Sequence, residues 1–591
     1  MSALIILDAV LFVALLKVAK GLVQHYKSDS NEKKLPLPPG PAPKPFIGNL
    51  LDVPTGHSWL GWSKLAQEHG PVTRLSLFGM HIISLNTPDA MHALLNQAAF
   101  SDRPQVVFGG EMCGWANTLA LQRYGEDFKA FRRELHQVLG THAAIAKFHP
   151  LIEVEMRRFL LRVFHDSSRL LEHVQVSAGA IILRIAYGYT IEPPAFAKGN
   201  QEKGYSGGTY SGPEDPLVEL ADRGIAQISY AAQPGNFLVD VLPILRYVPD
   251  WMPLTGWKRT ARRFRSTVTE LVEKPYAFVK SQMAEGTAAP SYVSALLEKA
   301  HTRAEKDSDS ASSPFTDSSA SSTGRAGKTA DGINAQDDFV IKWSASSLYT
   351  GGADTTVSAI QSFFLAMLLH PDIFAKAQAE IDTVIGADRL PTFEDRERLP
   401  YTNALVREVL RWGAVAPMGL PHVPTEDMVF DGYLIPKGSV VMPNIWHYLH
   451  DPAVYHEPFA FKPERFLSPE QGGIPGRQPE PDVTNVVFGF GRRACPGKEL
   501  AVASLFMAAT MSIAVFDLNK ATDVQGNVLE PGYNFAPGTI THPEPFKVVA
   551  TPRSRTAELL IRSVEIEHPW DASDAEHLTH LNWSRGTELE I

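Results

Sequence analysis

At 591 residues, 44% of them hydrophobic and 20% charged, the chain has a globular composition and exceeds what one simple core supports, so it reads as several domains or one large fold with insertions. A net charge of −10 gives no electrostatic basis for binding nucleic acid. Only two cysteines, Cys113 and Cys495, are present, which excludes a disulfide framework and a four-thiolate metal site and points to a reducing compartment.

The amino end opens on ALIILDAVLFVALL, residues 3–16. As a helix this spans roughly 21 Å against the roughly 30 Å of bilayer hydrocarbon, and continuing through Val23 closes the gap, with Lys17 and Lys20 free to snorkel. No Lys or Arg precedes the run, whereas Lys17, Lys20, Lys27, Lys33 and Lys34 follow it. The positive-inside rule then leaves the rest of the chain in the cytosol, and the missing basic n-region argues against a cleaved signal peptide. The expectation is a transmembrane helix over 1–24, then a basic, proline-rich connector over 25–44 whose prolines favour stiff, extended chain.

The main body is expected over 45–552. Helical periodicity dominates it, at 153–165, 261–283, 339–369, 373–385 and 402–412, while short strand signals cluster at 72–85, at 428–442 and near its end. Residues 306–336 are serine-rich and nearly free of large apolar side chains, which predicts a disordered insert. The fold class is therefore mainly α with minor β, a single large helical domain with small sheets. Cys113 reads as a packing residue. Beyond it all, residues 553–591 carry a marked excess of Glu and Asp and read as a solvated acidic tail.

Near the end of the body stands FGFGRRACPGKEL, residues 488–500. It has two readings. Residues 489–494 fit the dinucleotide fingerprint GxGxx[GA], Asn485-Val486-Val487 could end a strand, and Asp517 is placed rather like a ribose-binding acid, which together suggest a nicotinamide dehydrogenase. The same glycine-rich curve could instead present Cys495 to a metal. The helix-rich surroundings and Pro496, which lies where a phosphate needs free N–H groups, weigh against the nucleotide.

Written by position, Phe488-x-x-Gly491-x-Arg493-x-Cys495-x-Gly497 resembles the haem-thiolate loop of the cytochrome P-450 family. The resemblance implies haem b (iron protoporphyrin IX), with Cys495 as the axial iron ligand, Phe488, Gly491 and Gly497 shaping the loop, and Arg493 meeting a haem propionate. Further matches stand upstream. Glu408 and Arg411 place acid and base on one helix face at i, i+3, and Arg465 in FKPERF completes a buried charge network of structural rather than catalytic role. Glu155 and Arg158 share the spacing by chance and read as a solvated contact. LYTGGADTTVSAI puts Asp354 and Thr355 inside a long helix, where two glycines and two threonines are poor choices for helix propensity. In the family this stretch is similar to the acid–alcohol pair that delivers protons beside the oxygen site. Arg132 in YGEDFKAFRREL matches a propionate-binding arginine, although Phe128 replaces the family's usual tryptophan, and His422 in GLPHVPTED stands where the family often places His or Arg facing the haem.

The resemblance runs from about Pro36 to about Pro552 and is most like fungal microsomal members. It implies the cytochrome P-450 fold and a hydroxylase that inserts one atom of O2 into a lipophilic substrate of secondary metabolism or detoxification. Electrons would come from NADPH through a cytochrome P-450 reductase, with cytochrome b5 as a further partner, at the endoplasmic reticulum membrane. By the same resemblance the substrate pocket draws on the loop 107–113, Tyr349, Ala353, Met418, Leu420, Thr539 and Ile540. A haem-thiolate isomerase or dehydratase would need no reductase, and Asp354-Thr355 argues against it.

Overall fold

In a computed structural model of the chain, residues 35–194, 196, 215–233, 236–311, 325, 327–329 and 331–583 are described. The expected membrane helix, 1–24, and the connector as far as residue 34 lie outside the described residues. The rest packs into two compact units rather than the single domain expected. Of the described residues, the smaller comprises those from 35 to Pro104, Met418–Tyr448 and Phe490–Arg493; the larger comprises those between Gln105 and Pro417, Leu449–Gly489 and those from Ala494 to 583.

The smaller unit explains why sequence order hides the division. Strands β1 (Val72–Leu77) and β2 (Met80–Leu85) form an antiparallel hairpin, β3 (Met428–Phe430) and β4 (Tyr433–Ile435) form another, and β5 (Val440–Pro443) adds in parallel to β2. That parallel pairing, Ile82 opposite Val440, recruits a late segment to an early one. Both hairpins turn on two residues of positive φ, Phe78-Gly79 (48° and 86°) and Asp431-Gly432 (49° and 76°), the backbone that tight two-residue turns require. Trp62 from the helix Ser58–His69 packs with Leu75 and Leu77, and Met418 and Met442 close that cluster. The described part of the proline-rich connector runs extended along β1: Arg74 donates its backbone N–H to the Pro39 carbonyl at 2.8 Å. A Cβ on Gly40 would stand 1.9 Å from the Arg74 carbonyl oxygen, so only glycine allows this approach.

The larger unit is built on the 35-residue helix Ala335–Leu369, about 52 Å long at ~1.5 Å per residue. Asn334 caps it, accepting from the Gln336 N–H, and its second half is buried all round, Phe363 and Phe364 completely. The helices Leu170–Tyr187, Glu126–Leu139 and Lys498–Val515 pack on it. Strands β6 (Phe516–Lys520) and β7 (Val548–Pro552) pair antiparallel. Each expected helix is present and begins earlier than its apolar pattern: His149–His165, Gly256–Glu285, Ala335–Leu369, Pro371–Val384 and Pro400–Trp412. In three of them a proline in the first turn (Pro150, Pro371, Pro400) starts the helix before the periodicity does. Among the described residues, Ala335–Leu369 and Lys498–Val515 are long and apolar enough to cross a membrane, but 78% and 72% of their apolar windows are buried inside the fold.

Two composition-based expectations need correction. The serine-rich insert is narrower than 306–336, because the helix Tyr292–Ala311 runs into it, Lys280 pairs with Asp331 at 2.7 Å, and Arg325 lies over the Phe339 ring. The acidic tail is not simply solvated. Arg555–Glu567 is a helix that buries Ala557, Ile561 and Val564, Asp574 exchanges backbone and side-chain hydrogen bonds with Thr190, and Leu578 is buried. Net charge masked an apolar stripe at helical spacing.

Candidate active site

The loop around Cys495 is shaped by its backbone. Gly489 and Gly491 have φ of 76° and 52°, and a Cβ on Gly491 would lie 2.8 Å from the Leu95 carbonyl oxygen, so glycine is required there. The Cys495 N–H donates to the Phe488 carbonyl at 2.7 Å and closes the curve. Gly497 then caps the helix Lys498–Val515, which sets the thiol just ahead of a helix N-terminus. What precedes the loop is a helical turn, Thr484–Val487, not a strand, and Asp517 lies in the antiparallel pair β6–β7. The strand–loop–helix that a dinucleotide needs is absent here, and the nucleotide reading fails.

The sulfur is deep in protein yet accessible. Surrounding atoms raise the thiol pKa, while the Gly497 N–H and the Arg132 charge pull it down, and the residue keeps open surface. Arg132, from Glu126–Leu139, donates Nη1–H to the Ala494 carbonyl at 2.7 Å, and Phe128 beside it is buried. Cys113 is the opposite case, fully buried, with burial pushing its thiol up to about 12.

In the smaller unit, cations cluster around the chain at Ser101 to Arg103. Arg493 donates Nε–H to the Ser101 carbonyl at 2.7 Å, and buried Arg103 donates to the carbonyls of Leu420 (2.9 Å) and Pro421 (2.7 Å). Burial, then the charge of Arg493, lowers Arg103 to about 9, with Asp102 opposing. Buried His422 places Nδ1 2.8 Å from the Phe100 carbonyl, and burial followed by the Arg103 charge pushes it down to about 3. Its ring is thus neutral, with Nδ1–H donating and Nε2 left as an acceptor, which is not the donor a carboxylate wants. Arg103, in the string SDRP, is the cation that the sequence reading missed.

Glu408, Arg411 and Arg465 meet as expected, all without solvent exposure. Arg411 donates to both Glu408 oxygens (2.7 and 2.9 Å) and to the carbonyls of Leu449 and Pro458; Arg465 reaches Glu408 and, at 2.6 Å, Glu480. The chance pair Glu155–Arg158 is also buried, at 2.8 Å, contrary to the solvated contact expected; Arg158 donates on to the Pro569 carbonyl, and Trp570 lies over the guanidinium groups of Arg158 and Arg162.

Along Ala335–Leu369 partly buried positions recur, but one residue alone is exposed. Gly351 is exposed, with nothing within 4 Å of an added Cβ, and Thr355 is only half-buried, while Tyr349, Ala353 and Thr356 around them are buried. The Thr355 hydroxyl donates to the Gly351 carbonyl at 2.8 Å, and Asp354 Oδ1 lies 3.0 Å from His542 Nε2.

The sequence profile described as Cytochrome P450 matches residues 38–191 and 207–550. The chain belongs to the cytochrome P450 family. It is 41% identical over 568 residues to the cytochrome P450 monooxygenase claR of Ampulloclitocybe clavipes, covering 95% of this chain and 96% of that protein. It is 42% identical over 558 residues to cytochrome P450 monooxygenase 208 of Postia placenta (94% and 96% covered), and 36% identical over 550 residues to the O-methylsterigmatocystin oxidoreductase of Aspergillus flavus (92% and 93%).

A cytochrome P450 monooxygenase uses a haem-thiolate cofactor, and this chain's residues fit one: an accessible sulfur set deep in the fold ahead of a helix N-terminus, Arg132 beside it, and a bare, open stretch on the long helix at Gly351 and Thr355. The expected pocket residues divide. Tyr349 is wholly buried, its hydroxyl donated to the Leu217 carbonyl, and Ala353 is buried too, so neither presents a surface; most of the turn Val107–Met112 is buried likewise. Met418 is spent on the Trp62 cluster, and Leu420 offers its carbonyl to Arg103. Thr539 and Ile540 are half-buried. Aromatic and apolar residues beside a pocket are chemically the same as those filling a core, which is why their sequence assignment failed at Tyr349.

Proposed function

We propose that this P450 inserts one atom of O2 into a lipophilic organic substrate in fungal secondary metabolism, taking electrons from NADPH through a flavoprotein reductase at the endoplasmic reticulum membrane. The observation that carries the reading is the accessible Cys495 thiol sunk in the protein ahead of Lys498–Val515. Cys495 would ligate the haem iron, and by the family resemblance Arg132 and Arg493 would each meet a propionate. When bound, the haem supplies oxygen activation, which the thiolate favours by pushing electron density onto the iron. The chain's own part is to exclude water, orient the substrate and move protons at Asp354 and Thr355. Glu408, Arg411 and Arg465 fix the chain around the cysteine loop. One relative is named for O-methylsterigmatocystin, a small organic molecule, which supports a substrate of that general class.

The test is the reduced, carbon monoxide-treated protein: a thiolate-ligated haem gives a strongly red-shifted Soret band, and its absence in haem-loaded protein overturns the reading. Untargeted metabolite comparison after co-expression with a reductase then identifies the substrate.

A further inference from the structure

The acid of the acid–alcohol pair has a partner that no motif announced. His542 lies in a turn pinned from several sides: Thr541 donates N–H to the Val415 carbonyl at 2.9 Å and its hydroxyl to Ala414, Ser358 donates to the Thr541 carbonyl, and Ala536 donates to the His542 carbonyl at 2.8 Å. The imidazole therefore stands fixed against the long helix. Nε2 faces Asp354 Oδ1 at 3.0 Å, and Nδ1 faces Gln361 Oε1 at 3.3 Å, seven residues along the same helix face. The orientation of the Gln361 amide follows from its other end, where Nε2 points to the Leu171 carbonyl at 3.4 Å.

Both ring nitrogens thus face oxygens. Gln361 Oε1 can only accept, so Nδ1 carries a hydrogen. If the ring were neutral, Nε2 would be a bare lone pair aimed at a carboxylate oxygen, and the two would repel. The contact is favourable only with one more proton on the Nε2–Oδ1 line, as imidazolium with carboxylate or as imidazole with carboxylic acid. We propose, building on the monooxygenase reading above, that Asp354 and His542 share a stored proton that feeds the Thr355 site.

Asp222, on Pro216–Ala231, feels the charge of this pair. Burial, then the Asp354 charge, pushes its carboxyl up to about 7, His542 opposing and Glu219 adding to the rise, so it carries a proton near neutral pH. The transfer balances without electrons. The shared proton passes from His542 Nε2 to Asp354 Oδ1, Asp354 releases it toward Thr355, and water refills Nε2. Only O–H and N–H bonds break and form. His542 is a positioning and relay residue, acting through Asp354.

The experiment uses the haem-loaded full chain with reductase. His542→Gln keeps a hydrogen-bonding side chain but cannot carry the extra proton. Product formed per NADPH is expected to fall about tenfold, with the difference appearing as hydrogen peroxide and the solvent isotope effect on product formation rising. Substrate-induced spectral shifts should stay within about twofold. Independently of turnover, melting temperatures of wild type, Asp354→Asn, His542→Gln and the double variant should be non-additive, the second change costing little once the first is made. Unchanged coupling and isotope effect with an intact carbon monoxide band overturn the shared-proton proposal alone, as does strict additivity in melting. A missing band in wild type overturns the monooxygenase reading instead. If His542→Gln fails to hold haem, Gln361→Met removes the Nδ1 acceptor without touching the pair: a several-fold loss of coupling supports the proposal, and wild-type coupling counts against it.

Discussion

Glu408 holds Arg411 through both of its carboxylate oxygens, at 2.7 and 2.9 Å, and the same oxygens receive Arg465, all three side chains being shut off from solvent. Two guanidinium groups depend on one carboxylate, with Glu480 helping only Arg465. Glu408→Gln should therefore leave a buried, under-compensated positive charge, a loss on the order of 3–5 kcal/mol. The expected outcome is a lowered melting temperature and poor haem retention, checked by calorimetry and absorbance. A melting temperature equal to that of wild type would remove the network from the account of stability.

The two cysteines should behave as opposites. Cys495→Ala should abolish the red-shifted carbon monoxide band. Cys113→Ala should leave it unchanged, because burial, then the Asp240 charge, pushes the Cys113 thiol up to about 12 and holds it neutral. Difference spectra of the two variants at equal protein concentration decide the assignment, and a surviving band in Cys495→Ala would sink it.

How far the sequence could be read depended on the kind of signal. Cys495, Gly491 and Glu408–Arg411 were legible because each meets a demand that few residue types satisfy: a thiolate, a backbone at φ 52° against the Leu95 carbonyl, a paired buried charge. The helices were legible from their apolar period, and their starts were not, since proline set them. What stayed hidden was long-range. The β2–β5 pairing, the Asp354–His542 contact across 188 positions and the docking of Trp570 on Arg158 all join segments with no shared local pattern. Composition misled at the carboxyl end, where acidic residues on one face concealed Ile561 and Val564 on the other.

Trp570 gives that docking a measurable consequence. It lies over the guanidinium groups of Arg158 and Arg162, 5.1 and 4.8 Å from its ring centre, while Arg158 also holds the Pro569 carbonyl. Trp570→Ala should cost about 1–3 kcal/mol through lost cation–π and packing contact. Limited proteolysis should then cut between the body and the Arg555–Glu567 helix faster than in wild type. Equal cleavage rates would return the carboxyl end to the status of a solvated tail.

Asp222 predicts a pH dependence of stability. Its carboxyl titrates near 7 in the fold and near ~3.9 in an unfolded chain, so the folded state holds the extra proton between those values. That contribution is complete below about pH 4 and is lost as pH rises through about 7, a difference on the order of 4 kcal/mol. Asp222→Asn cannot titrate. Its melting temperature should match or trail wild type at pH 5.5 and exceed it at pH 8. Parallel melting curves across that range would mean that Asp222 is not held protonated.

Thr355 and Thr356 are neighbours with different surroundings, which makes them a matched test of the acid–alcohol pair. Thr355 is half-buried, its hydroxyl turned to the Gly351 carbonyl at the open stretch of the helix, while Thr356 is buried, about 100° further round. Removing the Thr355 hydroxyl takes away a proton-positioning group, worth about a hundredfold in the step it serves. Thr355→Ala should keep substrate binding and haem reduction but release more of the reducing equivalents as hydrogen peroxide. Thr356→Ala should act chiefly on melting temperature, because what it loses is buried packing. NADPH, peroxide and product are measured together for wild type and both variants. Equal coupling in wild type and Thr355→Ala would leave GGADTT as a structural break in the helix and move proton delivery elsewhere.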